Sequence, residues 1–278
     1  MTVIYYLGPK GSYTNVATEK TVRFLKIENP EYKAFSNIQE GFSSILKADE
    51  GYLVVPIENM IRGTVRETLD SLLTINNDEL KIIAETTIGI EHCIISKGND
   101  IKKIRHIISN PQAISQCYQF IYKTFGNDVI ITNTNSTSLA VASLDNYDDT
   151  YAAISNELCA KLYNRNVLLK NISDVPDNKT RFVILSKQNI EKKLKYKTSI
   201  SFSTPNEFGA LANILNIFAK HSINLLHIDS RPSKLKFGDY LFYCELDGGL
   251  NDKNLFQSIF EIQKHVDFYH LNGSYFVF

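Results

Sequence analysis

The chain has 278 residues, 44% of them hydrophobic, and its 30 Lys and Arg balance 30 Asp and Glu. That length and apolar content predict one large or two ordinary globular domains, while zero net charge gives no electrostatic case for nucleic acid or an anionic membrane surface. No stretch approaches the roughly 18 uninterrupted apolar residues of a membrane helix, and the opening "MTVIYYLGPKG" lacks the basic and apolar regions of a secretory leader, so a cytoplasmic protein is expected.

In chain order, "VIYYLG" predicts a strand and "YTNVATEKTVRFL" a helix. Between them, Gly8 and Gly11 permit a tight turn, and Ser12 and Thr14 sit where helix N–H groups point outward and can cradle a carboxylate. An ordinary strand-to-helix turn explains the same residues, and the loop is not a phosphate-binding Walker sequence. "YLVVPIEN" predicts a strand and "TVRETLDSLL" a helix, with Thr64 and Glu67 at capping-box spacing. Glu58 and Asn59, polar groups at a strand end, are the site candidates of this segment.

"IRHIIS", "VIITNT" and "YAAIS" predict buried strands, followed by the helical stretches "PQAISQCYQFIYKTF", "STSLAVASL" and "NELCAKLY". Ser109, Asn110, Ser136 and Thr137 stand at helix starts, where capping and anion binding are compatible. This alternation predicts α/β layers with mostly parallel sheet, and ligands beyond the carboxyl ends of strands. "DVPDNKTRFVIL" then places Thr180 and Arg181 at the head of an apolar strand. Either the two wet the strand end, or the strand carries them to the floor of a site.

Residues 186–197, "SKQNIEKKLKYK", are polar and Lys-rich, as in a linker. Beyond them "TSISFST", "INLLHIDSRP", "YLFYCELDG" and "FYHLNGSYFVF" read as strands. One helix is expected to present Phe208, Leu211, Ile214, Leu215 and Phe218 on one face, and a second Leu255, Ile259, Ile262 and Val266. The order βαββαβ is that of a ferredoxin-like sandwich. Cys93, Cys117, Cys159 and Cys244 form no CxxC pair and read as buried thiols. His92, His106, His221, His227, His265 and His270 are scattered, so no metal site is expected.

The ordered set "GPKGSYTNVA", "VVPIENMIRGTVRETLD", "SNPQAISQC", "STSLAVA", "AAISNELCAKLY", "ISDVPDNKTRF" and "GALANILNIFAKHSINLLHIDSRP" resembles the prephenate dehydratases that carry a C-terminal ACT domain. The resemblance covers nearly the whole chain. It implies a two-lobed, periplasmic-binding-protein-like catalytic domain over residues 1–188, with crossovers near residues 78 and 165, and a βαββαβ ACT regulatory domain over 198–278. It also implies decarboxylative dehydration of prephenate to phenylpyruvate, with no cofactor or metal, and feedback by phenylalanine. A homo-oligomer, dimer or tetramer, is expected.

By the same resemblance, Thr180 stands at the leaving hydroxyl. Arg181 either orients the strand end and attracts the dianion or pairs with a carboxylate such as Glu58. Glu58 and Asn59 join the catalytic group. Ser12, Thr14, Asn110, Ser136, Thr137 and Asn178 are candidate substrate contacts. Gly209, Ala210, Leu211, Asp229, Ser230, Arg231 and Pro232 correspond to the phenylalanine site. The chain departs from the family pattern at Ser12-Tyr13-Thr14 for Thr-Phe-Ser, at Met60 for serine, at Asn110 for histidine and at Asp229 for glutamate. Arogenate dehydratase and a non-catalytic cytoplasmic amino-acid sensor are the alternatives.

Overall fold

The computed structural model describes residues 1–75, 79–190, 192–233 and 239–278. The first lobe comprises β1 (Val3–Leu7), α1 (Tyr13–Leu25), β2 (Glu31–Phe35), α2 (Ile38–Lys47), β3 (Tyr52–Asn59), β4 (Gly63–Thr64), α3 (Arg66–Thr74) and β5 (Lys81–Gly89). The Ser12 hydroxyl starts α1 by accepting the Asn15 N–H, and Lys26, in the left-handed region, ends it by donating back to Arg23 and Val22. Asn37 caps α2 in the same way.

The predicted capping box at Thr64 and Glu67 does not form. Thr64 lies in β4, its backbone paired with Glu58 of β3, and α3 starts after Val65 without a side-chain cap. The hairpin takes the residue that the sequence pattern offers to the helix.

The second lobe holds β6 (Cys93–Ser96), β7 (His106–Ser109), α4 (Pro111–Gln116), α5 (Tyr118–Phe125), β8 (Ile130–Asn133), α6 (Thr137–Ser143), β9 (Tyr151–Ser155), α7 (Glu157–Leu162) and β10 (Asn166–Leu169). The chain then returns to the first sheet through β11 (Lys179–Ser186). It passes between sheets after Gly89 and after Leu169. Of the expected crossovers, residue 78 lies outside the described residues. Residue 165 comes too early, because the next element, β10, still pairs with β6 of the second lobe.

The sheets are mixed rather than mostly parallel. β1 lies parallel to β2 and β3, and β7 to β8 and β9. The strands around each passage, β5, β6, β10 and β11, are not made by βαβ crossovers, and most of their pairings are antiparallel. β11 sits between β3 and β5 in the middle of its sheet. One face of that sheet packs Leu53, Val55, Val183 and Leu185 against α2 and α3, and the other packs Tyr6, Val54, Phe182 and Ile184 against α1.

The C-terminal unit is β12 (Tyr196–Ser203), α8 (Ala210–Lys220), β13 (Leu225–Pro232), β14 (Tyr240–Asp247), α9 (Lys253–Ile262) and β15 (Phe268–Val277). Its strand order is β13-β14-β12-β15, all antiparallel, with Ile214, Phe218, Leu255 and Ile259 of the helices packed on Ile200 and Phe202. Phe208 was expected on this apolar face, but it precedes α8 and is fully exposed, and Ile217 is buried instead.

The unit does not hang on a free tether. β15 runs parallel to β5, Phe276 opposite Ala84, so the C-terminal sheet and the first lobe form one sheet of ten strands. Tyr243 and Tyr275 are fully buried in the first lobe's core. Gly273 is needed at this seam: a Cβ there would lie 2.1 Å from the Ile82 carbonyl oxygen.

Candidate active site

The pairing of β11 with β3 sets the site. Thr180 stands opposite Asn59, and Arg181 opposite Glu58. Because side chains alternate along a strand, the first pair and the second face opposite sides of the sheet. On the first side, the Asn59 amide nitrogen donates to Asn178 Oδ1 at 3.0 Å, to the Lys179 carbonyl at 3.2 Å and to Thr180 Oγ1 at 2.9 Å. All three side chains are buried, Thr180 with 8% of its surface left open. Thr180 Oγ1 is an acceptor in this triad, so its own proton is left to point elsewhere.

The other end of the Asn59 amide builds the neighbouring loop. Its Oδ1 accepts the N–H groups of Ile61 and Arg62, at 3.2 and 3.1 Å. Arg62 thereby reaches a cleft of about 470 Å³, which it lines with Asn110, Pro111, Gln112, Asn133, Thr134 and Asn135 of the second lobe. Its guanidinium is the formal charge among those residues, and it extends to Ser115 Oγ at 3.5 Å. Neither Thr180 nor Asn59 lines this cleft; Asn59 reaches it only through the loop that carries Arg62. A larger cavity, about 970 Å³, lies near the linker between Lys81, Tyr196 and Leu250 and contains none of the expected site residues.

Several expected substrate contacts act as helix caps. Asn110 Oδ1 accepts the Ala113 N–H at 2.7 Å, and Ser136 Oγ the Leu139 N–H at 3.1 Å. Ser12 caps α1, while Thr14 and Thr137 are buried in first turns. The starts of α1 and α6 flank a second meeting of the lobes. There the Ser138 hydroxyl donates to the Lys10 carbonyl, and the Asn156 amide to the Gly11 carbonyl at 2.8 Å. Gly11 has φ +85°, and a Cβ on it would meet Cys159 Sγ at 2.7 Å. Asn156, Ser138 and Arg62 are not singled out by the motif reading. Asn156 carried a signal, being the polar residue before "ELCAKL" that also caps α7.

Arg181 and Glu58 are not directed into the cleft. Arg181 Nη1 donates to Glu58 at 2.6 Å, Nη2 to Glu85 at 2.7 Å and to Glu245 at 2.5 Å. This corrects the placement of both residues with the catalytic group: strand alternation turns them to the opposite face, and three carboxylates hold the guanidinium there. Burial opposes ionisation of Glu85, yet Arg181 and Lys197 outweigh it and hold the carboxyl below its usual range.

Burial raises the thiols of Cys93, to about 11, and Cys117, to about 12, so neither is a nucleophilic thiolate. Burial also lowers His92, which stays neutral against Gln116 Oε1 at 2.9 Å. Among the described residues no group of three His, Cys, Asp or Glu side chains is placed to hold a metal ion.

In the C-terminal unit, Gly209 precedes Ala210 and Leu211 with φ +78° at the start of α8. Asp229, Ser230, Arg231 and Pro232 end the edge strand β13. Arg231 Nε donates to Asp70 of α3 at 2.8 Å, a further tie to the first lobe.

The prephenate dehydratase family profile matches residues 4–190, and the ACT domain profile residues 198–262. A prephenate dehydratase of Methanocaldococcus jannaschii is 37% identical over 281 residues, 99% of this chain and 98% of that protein. An arogenate dehydratase/prephenate dehydratase of Arabidopsis thaliana is 31% identical, over 98% of this chain and 72% of the relative. The crystal structure of a prephenate dehydratase from Arthrobacter aurescens in complex with L-Phe superposes with a TM-score of 0.87 at 28% identity, covering 99% of this chain and 90% of that one.

Proposed function

This chain belongs to the prephenate dehydratase family and carries an ACT domain, and from that premise we propose that it is a carbon–oxygen lyase converting prephenate to phenylpyruvate. The ring carboxylate leaves as carbon dioxide, and its C–C electron pair enters the ring as the ring C–O bond breaks. The departing hydroxide takes up one proton and becomes water. Aromatisation drives the step, and the barrier lies in the leaving group, so an oriented donor at that oxygen accelerates it.

One observation carries this reading: Asn59 donates into Thr180 Oγ1 and so directs the threonine proton away from itself. Thr180 then donates to the leaving oxygen. It acts as hydrogen-bond donor or relay rather than as a strong acid, since a hydroxyl does not ionise readily. Arg62 supplies the charge for one substrate carboxylate, and the amides of Asn110, Gln112 and Asn133 supply neutral donors. Asn178 holds Asn59, while Ser12, Thr14, Ser136 and Thr137 fix the helix starts beside the lobe contact.

Phenylalanine, which the Arthrobacter structure contains, is the feedback effector in this reading, taken at Gly209–Leu211 and Asp229–Pro232. The edge strand β13 leaves Leu226 and Ile228 exposed, which supports association of chains into a dimer or tetramer. The buried free thiols fit a cytoplasmic setting.

Purified protein is mixed with prephenate and phenylpyruvate absorbance is followed, with and without phenylalanine and beside arogenate. Turnover of prephenate that phenylalanine suppresses is the expected result. A folded Thr180→Ala variant with near-normal turnover removes Thr180 from the chemistry, and an inactive wild-type protein removes the whole assignment.

A further inference from the structure

Arg181 is held by carboxylates from three strands, and one of those strands belongs to the ACT domain. Glu58 comes from β3, Glu85 from β5 and Glu245 from β14. Glu85 and Glu245 are almost completely buried. Lys197 of β12 adds a second cation, 2.7 Å from Glu85 and 4.0 Å from Glu245, and the Tyr243 hydroxyl donates to Glu245 Oε1 at 3.1 Å.

We infer that Glu245 is a positioning residue for the dehydration: through Arg181 it sets the head of β11, and so carries the state of the ACT domain to Thr180. The guanidinium is a rigid planar fork, and its donors match the three carboxylates in one arrangement. A shift of β14 relative to β5 therefore either breaks a bond inside a buried ion cluster or drags Arg181 with it. Arg181 is the chain neighbour of Thr180, whose hydroxyl is useful only in one place. A ligand that favours one placement of the ACT sheet thereby favours one placement of Thr180. The inference rests on the reading that Thr180 acts at the leaving oxygen and that phenylalanine binds the ACT domain.

The seam offers a competing route through backbone alone, the pairing of β15 with β5. Glu245→Gln separates the two. It keeps the side-chain shape and an acceptor for Tyr243 and Arg181 but removes the charge. The expected result is a folded protein whose melting temperature phenylalanine still raises. Its kcat falls about 5-fold or more at little changed KM, and about 10-fold more phenylalanine is needed for inhibition. Hydrogen exchange over residues 178–183 responds to phenylalanine in the wild-type protein and ceases to respond in the variant, while exchange over α8 and β13 responds in both.

Equal responses over 178–183 in the two proteins overturn the inference in favour of the backbone route. If Glu245→Gln does not fold, Arg181→Lys is measured instead; it keeps the charge but cannot span three carboxylates, and the same losses are expected. Exchange is read without substrate, so an enzyme inactive on prephenate fails the functional reading without hiding the result for Glu245.

Discussion

Asn59 stands with one side of its amide on Thr180 and the other on the loop that carries Arg62: Nδ2 donates to Thr180 Oγ1 at 2.9 Å, and Oδ1 receives the Arg62 N–H at 3.1 Å. One side chain thus aligns the proposed proton donor and the proposed anion receptor. Asn59→Ala removes both alignments and leaves Asn178 Oδ1 buried without this donor. Loss of one oriented donor costs about 100-fold in kcat, and the orphaned acceptor costs roughly 1–3 kcal/mol of stability. Steady-state kinetics and urea denaturation read the two effects separately. A variant that loses stability but keeps its turnover shows that Asn59 only supports the strand end.

In the proposed reading Arg62 receives the side-chain carboxylate of prephenate, which, unlike the ring carboxylate lost as carbon dioxide, keeps its charge from substrate to transition state, so Arg62 is expected to act on binding rather than on chemistry. Arg62→Gln should raise KM for prephenate about 10-fold, the order of a charge-assisted hydrogen bond exchanged for a neutral one. Its kcat should change little, and the gap from wild type should narrow at high salt, where exposed charges are screened. A kcat loss at unchanged KM contradicts this role.

These two residues show what the sequence disclosed and what it withheld. Asn59 and Thr180 stood out as polar residues at the close and the head of apolar strands, the role of Thr180 being implied only by the family resemblance, and the structure puts them in register, 121 positions apart. The C-terminal βαββαβ order was legible, since its strands alternate and its helices keep a 3.6-residue period. Arg62 was not, because a lone cation in a polar loop has no periodicity to mark it. The face of Arg181 was not either: which way a strand residue points depends on what packs on each side, and Glu245 lies 64 positions away in another domain. Lys81–Gly89, the strand that joins the two domains, went unmarked, because the Glu85-Thr86-Thr87 run interrupts the apolar pattern, and Glu85 and Thr86 are buried in the joint rather than wet.

Gly273→Ala tests that joint. The added methyl would sit 2.1 Å from the Ile82 carbonyl oxygen, a backbone atom that a rotamer change cannot remove. The strands must separate locally, at a cost of about 1–3 kcal/mol typical of overpacking. Scanning calorimetry should show a lower melting temperature, or a split transition if the ACT domain comes apart from the lobe first. Unchanged melting would mean that the β15–β5 seam is looser than its register implies.

His92 gives the fold a pH dependence in a defined window. Burial lowers its pKa, and the bond to Gln116 Oε1 only partly offsets this. With Nε2 donating to Gln116, Nδ1 is left as an acceptor 3.3 Å from the Tyr13 hydroxyl, whose proton also serves the Glu91 carbonyl at 2.8 Å, so the ring is held in its neutral form. In the unfolded chain the imidazole takes up a proton near pH 6.5, whereas the folded protein resists it. The contribution is therefore complete above about pH 6.5 and is lost as pH falls from there through the folded-state value, at most about 1.4 kcal/mol per pH unit. Urea denaturation at pH 7.5 and 5.5 should find the wild-type protein less stable at the lower pH. His92→Gln cannot take up that proton, so its stability difference between the two pH values should be smaller, whatever the substitution does to absolute stability. Equal differences in the two proteins would assign the acid sensitivity to other groups.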